Sequence, residues 1–376
     1  MTVALLSLLL YAGPAPDQTA ARLDATALKV VDAYRAAAED YRAGHTDTAA
    51  QTLARLDRSD LRTVVALLKT MRLVPAGAAD PLTDVTRKLL WDRPLLLAAG
   101  MLHVDVAIGE DRQRRIDDFR FHTDLAASLF DTADVPGAGS GETPGTAAFR
   151  SAEAIALLLL GEGNIHVGHE YLSAALKRFP GAAPLLLAFG TLNETGAAIQ
   201  IQLTPPVNDV TLLGRARAAR DVWLREAEAS FERALAVDPS LVEARVRLAH
   251  LRIVQHDDAR AATLLDEALT AQPAPNWLYL ANMMIGDIRR RAGRTDAAVQ
   301  AYRDALNARP DGQSGYIAIS HALYAAGDRT LAAQALERLF ERRLTPTADD
   351  PWWDYPFGAW RDAEPMLDAL RAEARR

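Results

Sequence analysis

The sequence predicts an all-α protein, an α-α superhelix of antiparallel helix hairpins, and three observations carry that prediction. A pattern of small and bulky apolar residues returns after 34 residues in the second half of the chain. The composition is 49% hydrophobic but only 6% aromatic, with alanine and leucine dominant, which suits helices packed closely through small side chains. Along the predicted helices, apolar residues recur at steps of three and four, so they share one helical face.

Taken in order, the chain of 376 residues opens with the apolar run Val3–Tyr11 and a small, proline-rich stretch to Pro16, so residues 1–22 are expected to be a secretory signal segment. The run is too short to span a bilayer, no Lys or Arg precedes it and no clean Ala-x-Ala site follows. Residues 23–131 form an N-terminal helical region with degenerate repeats. Residues 26–56 fit one hairpin, with Ala36-Ala37, a turn at Gly44 and Ala49-x3-Leu53. Helices at 60–74 and 82–108, and the stretch Ile116–Asp131, have a helical period but no place on the repeat frame. Residues 132–147, rich in Gly, Pro, Ser and Thr, read as a loop, either between two hairpins of one array or at a domain boundary.

Residues 148–344 are the repeat array. The frame is weak at first, with Ala156, Gly163, Leu172, Ala175 and Pro180, then Phe189-Gly190 in the next helix. Pro180 and Pro239 stand 59 residues apart, 25 more than one repeat, so this unit holds an insertion that includes Pro205-Pro206. The frame is clearest in Ala227-x3-Phe231-x2-Ala234-x4-Pro239, then Ala261-x3-Leu265-x2-Ala268-x4-Pro273, then Ile285-Gly286, Gly293 and Ala298-x3-Tyr302-x2-Ala305-x4-Pro310. A fourth copy has Gly327, Ala332, Leu336 and Leu339. Alanines on one face let two helices approach, the bulky residue fills the space between units, and the proline ends the helix by pushing its predecessor out of the α region. One hairpin cannot bury its apolar face alone, so about three or more must stack. Residues 345–376 are expected to be an aromatic-rich cap and a closing helix, with Trp352, Trp353, Tyr355, Phe357 and Trp360 either plugging the core or forming an exposed anchor.

These residues resemble the tetratricopeptide repeat family, whose consensus has a Leu-Gly pair in helix A, a glycine at the turn, then Ala, aromatic, Ala and Pro through helix B. The resemblance is specific over residues 208–344 and degenerate over 149–207. It implies a binding scaffold that presents a concave groove to a peptide or to a helix of a protein partner. Carried onto this chain, the groove positions are Glu243, Val246, His250 and Ile253, then Met283, Asp287 and Arg290, then Ile317, His321 and Tyr324. The set does not resemble the carboxylate clamp of chaperone-binding members, for which Arg290 alone would serve. The groove could instead be filled by the chain itself, with residues 198–214 as the candidate filler.

Other chemistry finds little support. A net charge of −7 and a pI near 5.7 give no basic field for nucleic acid, and the absence of cysteine removes thiol chemistry and disulfides. His166 and His169 lack the order and the third ligand of a zinc site, so no metal is expected. Neither a phosphate loop nor a nucleophile elbow is present, so no cofactor and no catalytic residue are assigned. The basic clusters at 112–115 and 289–294 are followed by acids and read as locally paired. Two alternatives stay open: an enzymatic or ligand-binding N-terminal domain built around His103, Asp105 and His122, and a structural subunit of a cell-envelope assembly. Outside the opening run no stretch is long and apolar enough for stable membrane insertion. The signal-like start, with arginine replacing lysine almost everywhere, points to a bacterial, exported protein, periplasmic or extracellular, with the cytoplasm as the alternative.

Overall fold

The computed structural model describes residues 16–73, 92–112, 116–133, 165–202, 210–341 and 350–355, with residues 368, 371, 372 and 375 beyond them. The apolar run Val3–Tyr11, residues 134–147 of the loop, Ala156, Gly163, Pro205-Pro206, Phe357 and Trp360 lie outside the described residues. Among the described residues every regular element is a helix, and none is long and apolar enough to cross a membrane.

The chain divides into two compact units. Residues Met1–Ala156 with Ala363–Arg376 make the first, and Leu157–Asp362 the second. The first contains α1 (Pro16–Arg42), α2 (Thr46–Ala54), α3 (Arg58–Leu73), α4 (Arg93–Arg112) and α5 (Ile116–Ala133). The pairs α1–α2 and α4–α5 are hairpins, and α3 packs on α1 and α5. Helix α1 already begins at Pro16, within the segment expected to be a signal.

The second unit runs α6 (Ile165–Arg178), α7 (Ala183–Gln202), α8 (Val210–Val237), α9 (Val242–Val254), α10 (Asp258–Thr270), α11 (Pro275–Arg291), α12 (Thr295–Ala308), α13 (Gln313–Ala325), α14 (Arg329–Glu341) and the single turn α15 (Pro351–Asp354). Each helix from α6 to α14 packs on its neighbour in sequence, and α9 also meets α11. The extra residues of the second repeat lengthen both arms of the α7–α8 hairpin, since α7 runs on to Gln202 and α8 takes 28 residues. The cap expected over 345–376 is split between the units. Asp350–Tyr355 packs in the second, while Arg371 binds Asp105 and Arg375 lies over Tyr41 in the first.

One contact builds the hairpins. A Cβ added at Gly286 would stand 2.2 Å from the Tyr302 ring, one at Gly190 2.5 Å from Phe231, and one at Gly100 2.2 Å from Phe130. Only glycine allows the aromatic to lie flat against the facing helix. The Gly100–Phe130 pair also places α4 and α5 on the repeat frame, with Ala126-x3-Phe130-x2-Ala133 in helix B, although their spacing alone did not assign them.

Turns and ends repeat as well. Gly44, Gly293 and Gly327 have positive φ, and the N–H of the residue after each donates to the carbonyl five residues before it. That is a left-handed helix cap, which glycine adopts without steric cost. His256 holds the same place in the α9–α10 hairpin at φ 63°, with the same hydrogen bond from Asp257 to Arg252. At the other end, the N–H before Pro180, Pro239 and Pro310 donates to Ala175, Ala234 and Ala305, and the proline stops the helix there.

Ala298 and Ala305 are completely buried beside Tyr302 in the core of the second unit. Replacing either with Leu is expected to cost roughly 1–3 kcal/mol through overpacking. Thermal denaturation of the two variants checks it, and unchanged melting temperatures would mean that the helices do not meet there.

Candidate functional site

The predicted groove residues lie on α9, α11 and α13, but they fall into different environments. Helix α9 is packed by α8, α10 and α11, so its burial extends around most of its surface. Val246 is therefore wholly buried, and Ile253 packs against the same core. Met283, Asp287, Ile317 and His321 come together with Trp352 and Trp353 around a recess of about 410 Å³. Met283 is itself almost fully buried and forms the floor, while Ile317 and Trp353 are exposed. Arg290 pairs with Asp287 at 3.2 Å, and the Tyr302 hydroxyl donates to the same carboxylate at 3.0 Å. Tyr324 stands apart at an exposed position, with Arg329 over its ring.

Glu243 and His250 belong to a buried charge cluster whose other members the sequence reading did not single out. Arg247 is fully buried and donates to Glu194 at 2.7 Å and to Glu243 at 2.9 Å. The second Glu194 oxygen is 2.8 Å from Nδ1 of His250. Tyr355 lies over this group, with the Arg247 guanidinium 5.4 Å from its ring centre, the His250 ring edge-on at 5.0 Å, and its hydroxyl donating to Glu194 across a long 3.4 Å. Trp277 takes the Arg247 guanidinium on its own ring face.

The electrostatics follow from this packing. Burial alone would raise the Glu194 carboxyl, but the Arg247 charge and the His250 contact outweigh it and hold the carboxyl below its ordinary value. Burial, with the Glu194 charge second, raises the Tyr355 phenol well above its usual range, so it is a neutral donor. The only advance signals were local. Glu194 is the sole charged residue of α7, and Arg247 stands four residues after Glu243 and three before His250, on one helical face.

In the first unit, His103 and His122 are joined, Nδ1 to Nδ1, at 2.8 Å, and the Tyr34 hydroxyl lies 3.0 Å from Nε2 of His103. Asp105 is turned elsewhere, accepting from Tyr41 and Arg371. Burial first, and the neighbouring His122 second, keep the His103 imidazole neutral, with its pKa well below the ordinary value. His169 meets Glu226 at 3.2 Å among the rings of Phe189 and Trp223, and no group of three metal-ligating side chains occurs among the described residues.

Two outcomes test these readings. Arg247→Met leaves Glu194 buried without its main counter-charge and is expected to cost about 3–5 kcal/mol, whereas the double variant Glu194→Gln with Arg247→Met recovers most of that loss. Urea unfolding of both decides it, and equal losses would mean that the two charges are not coupled. For the first unit, the unfolded chain protonates His103 near pH 6.5 while the folded chain does not. Its stability should thus fall as the pH drops below that value, by up to about 1.4 kcal/mol per pH unit, until the folded pKa is reached. Opening free energies from amide exchange in α4 should show this slope in the native chain and lose it in His103→Gln.

No curated protein matches the sequence. Among solved structures, "Crystal structure of MamA" is 17% identical, covering 48% of this chain and 90% of that one at a TM-score of 0.38. "MamA 41-end from Desulfovibrio magneticus RS-1" is 14% identical, covering 53% and 98% at 0.39. Residues 279–311, from Tyr279 in α11 through Pro310 just beyond α12, match the family model described as tetratricopeptide repeat. Residues 279–311 are thus a tetratricopeptide repeat, the glycine–aromatic contact recurs in the α4–α5 and α7–α8 hairpins, and the array is in general terms that of a protein-interaction scaffold.

Proposed function

We propose that the second unit holds a peptide or a helix of a partner protein on the face formed by α9, α11 and α13, centred on the recess at Asp287, Ile317 and His321. The observation that carries this reading is the recess itself. Apolar, aromatic and titratable side chains from three elements converge on it, and Ile317 and Trp353 are left 42% and 58% exposed there. Large apolar side chains beside polar ones are what an amphipathic helix or an extended peptide needs from a groove.

A scaffold is favoured over an enzyme built on His103, because both ring nitrogens of that buried histidine are already engaged, by Tyr34 and by His122. Export belongs to the same proposal and is supported by the apolar run Val3–Tyr11 alone.

The chain, tagged at its C-terminus and recovered with its bound proteins from its own cells, should retain a specific partner. Ile317→Asp and His321→Ala should each release it. Phe340→Ala, an exposed apolar position on α14, should not. Retention in both recess variants would remove the groove as the binding face.

A further inference from the structure

One face of the array already carries a short peptide, and it belongs to this chain. Asp350–Tyr355, Asp-Pro-Trp-Trp-Asp-Tyr, forms one turn that packs on α11 and is read at both ends by the array. At one end Tyr355, 1% exposed, enters the pocket made by Arg247, His250 and Glu194. At the other, the buried Asp350 carboxylate accepts the Ser314 N–H at 2.7 Å, at the first turn of α13, and its second oxygen accepts from Trp352 within the turn. Pro351 is buried and Trp352 half-buried between these anchors, while Trp353 points out beside the recess.

Three features mark this as recognition and not as ordinary core. The tyrosine sits on a charged cluster, whose desolvation makes it a poor source of stability but a selective surface for a ring with a hydroxyl donor. The acid sits where backbone N–H groups and the helix dipole favour an anion. The segment also leaves the recess beside it open, although four of the predicted groove residues line it.

Building on the scaffold reading above, we infer that this face is selective for acidic-aromatic peptides of the pattern Asp-Pro-Trp-x-x-Tyr, with Asp350–Tyr355 as the resident copy that a partner segment of the same chemistry replaces. The partner's Asp takes the Ser314 N–H, its Tyr takes the pocket over Arg247, and residues flanking its tryptophans fill the recess. A tethered copy competes at an effective concentration in the millimolar range, so the resident segment sets a threshold that only a matched or longer peptide passes.

The test uses a fluorescently labelled synthetic peptide of sequence Asp-Pro-Trp-Trp-Asp-Tyr and the full chain, native and with Asp350→Ala and Tyr355→Ala combined. Anisotropy titration should show binding to the double variant at least about tenfold tighter than to the native chain. Peptides with Asn for the first Asp, or Ala for Tyr, should lose most of that affinity. No binding by a folded double variant overturns the inference, even if the partner-capture experiment succeeds, because that experiment depends on Ile317 and His321 alone. A double variant that no longer folds overturns it as well, since a resident ligand is dispensable to the array it occupies. A native chain that sediments as a dimer, and becomes a monomer in the double variant, assigns the segment to exchange between copies and overturns the partner.

Discussion

The architecture depends on how closely two helices of one hairpin can approach. At Gly100, Gly190 and Gly286 the facing ring occupies the space where a Cβ would stand. Removing one methyl-sized volume on helix A is what lets Phe130, Phe231 or Tyr302 be buried on helix B. Where the bulky residue is a leucine, the opposite position relaxes: Ala249 stands in the glycine place in the hairpin that holds Leu265, and Ser320 in the one that holds Leu336. The pairs conserve volume, as close packing requires. Everything else in the repeat serves that approach. The left-handed turns at Gly44, His256, Gly293 and Gly327 reverse the chain over a short span, and the prolines after helix B end it before the next unit begins.

A stack built this way has a face it does not need for packing, and that is where the polar chemistry collects. Arg247, Glu194, Glu243 and His250 are gathered on α7 and α9, at a place where apolar residues of similar size would stabilise the fold at least as well. Their arrangement is nevertheless complete. Both carboxylates are paired through Arg247, one Glu194 oxygen is shared between His250 and Tyr355, and two aromatic rings lie against the guanidinium. A buried network satisfied on every side holds its members in one geometry, which is what a surface that discriminates between peptides requires.

The sequence disclosed the fold through its periodicity and concealed the site for the same reason. Helix B could be placed from Ala227, Phe231, Ala234 and Pro239 because each of those residues acts within its own hairpin, at a fixed offset. The groove positions were carried over on that frame, and the frame does not know how many neighbours a helix has. It therefore set Val246 beside His250, although α9 is covered by α8, α10 and α11 and buries the first completely. Glu194 and Arg247 are 53 residues apart, and Tyr355 lies 161 from Glu194. No local pattern links such positions. The sequence offers residues 198–214 as the filler of the groove, yet among the described residues it is Asp350–Tyr355 that lies there, with a carboxylate at the first turn of α13 and a ring in the Arg247 pocket.

The α4–α5 hairpin makes the complementary point about degenerate repeats. Its helix B carries Ala126, Phe130 and Ala133 at the offsets of the frame, but Pro136 comes too early and the turn glycine is missing, so the spacing rules that depend on punctuation fail. The packing rule does not, because Gly100 still has no room for a side chain against Phe130. In this unit His103 is engaged by Tyr34 and His122, and Asp105 by Tyr41 and Arg371, so these polar residues hold helices together. The two units thus use buried polar groups to opposite ends. In the first they are satisfied within the fold, whereas in the second they are completed by an aromatic segment that the array receives as it would a ligand.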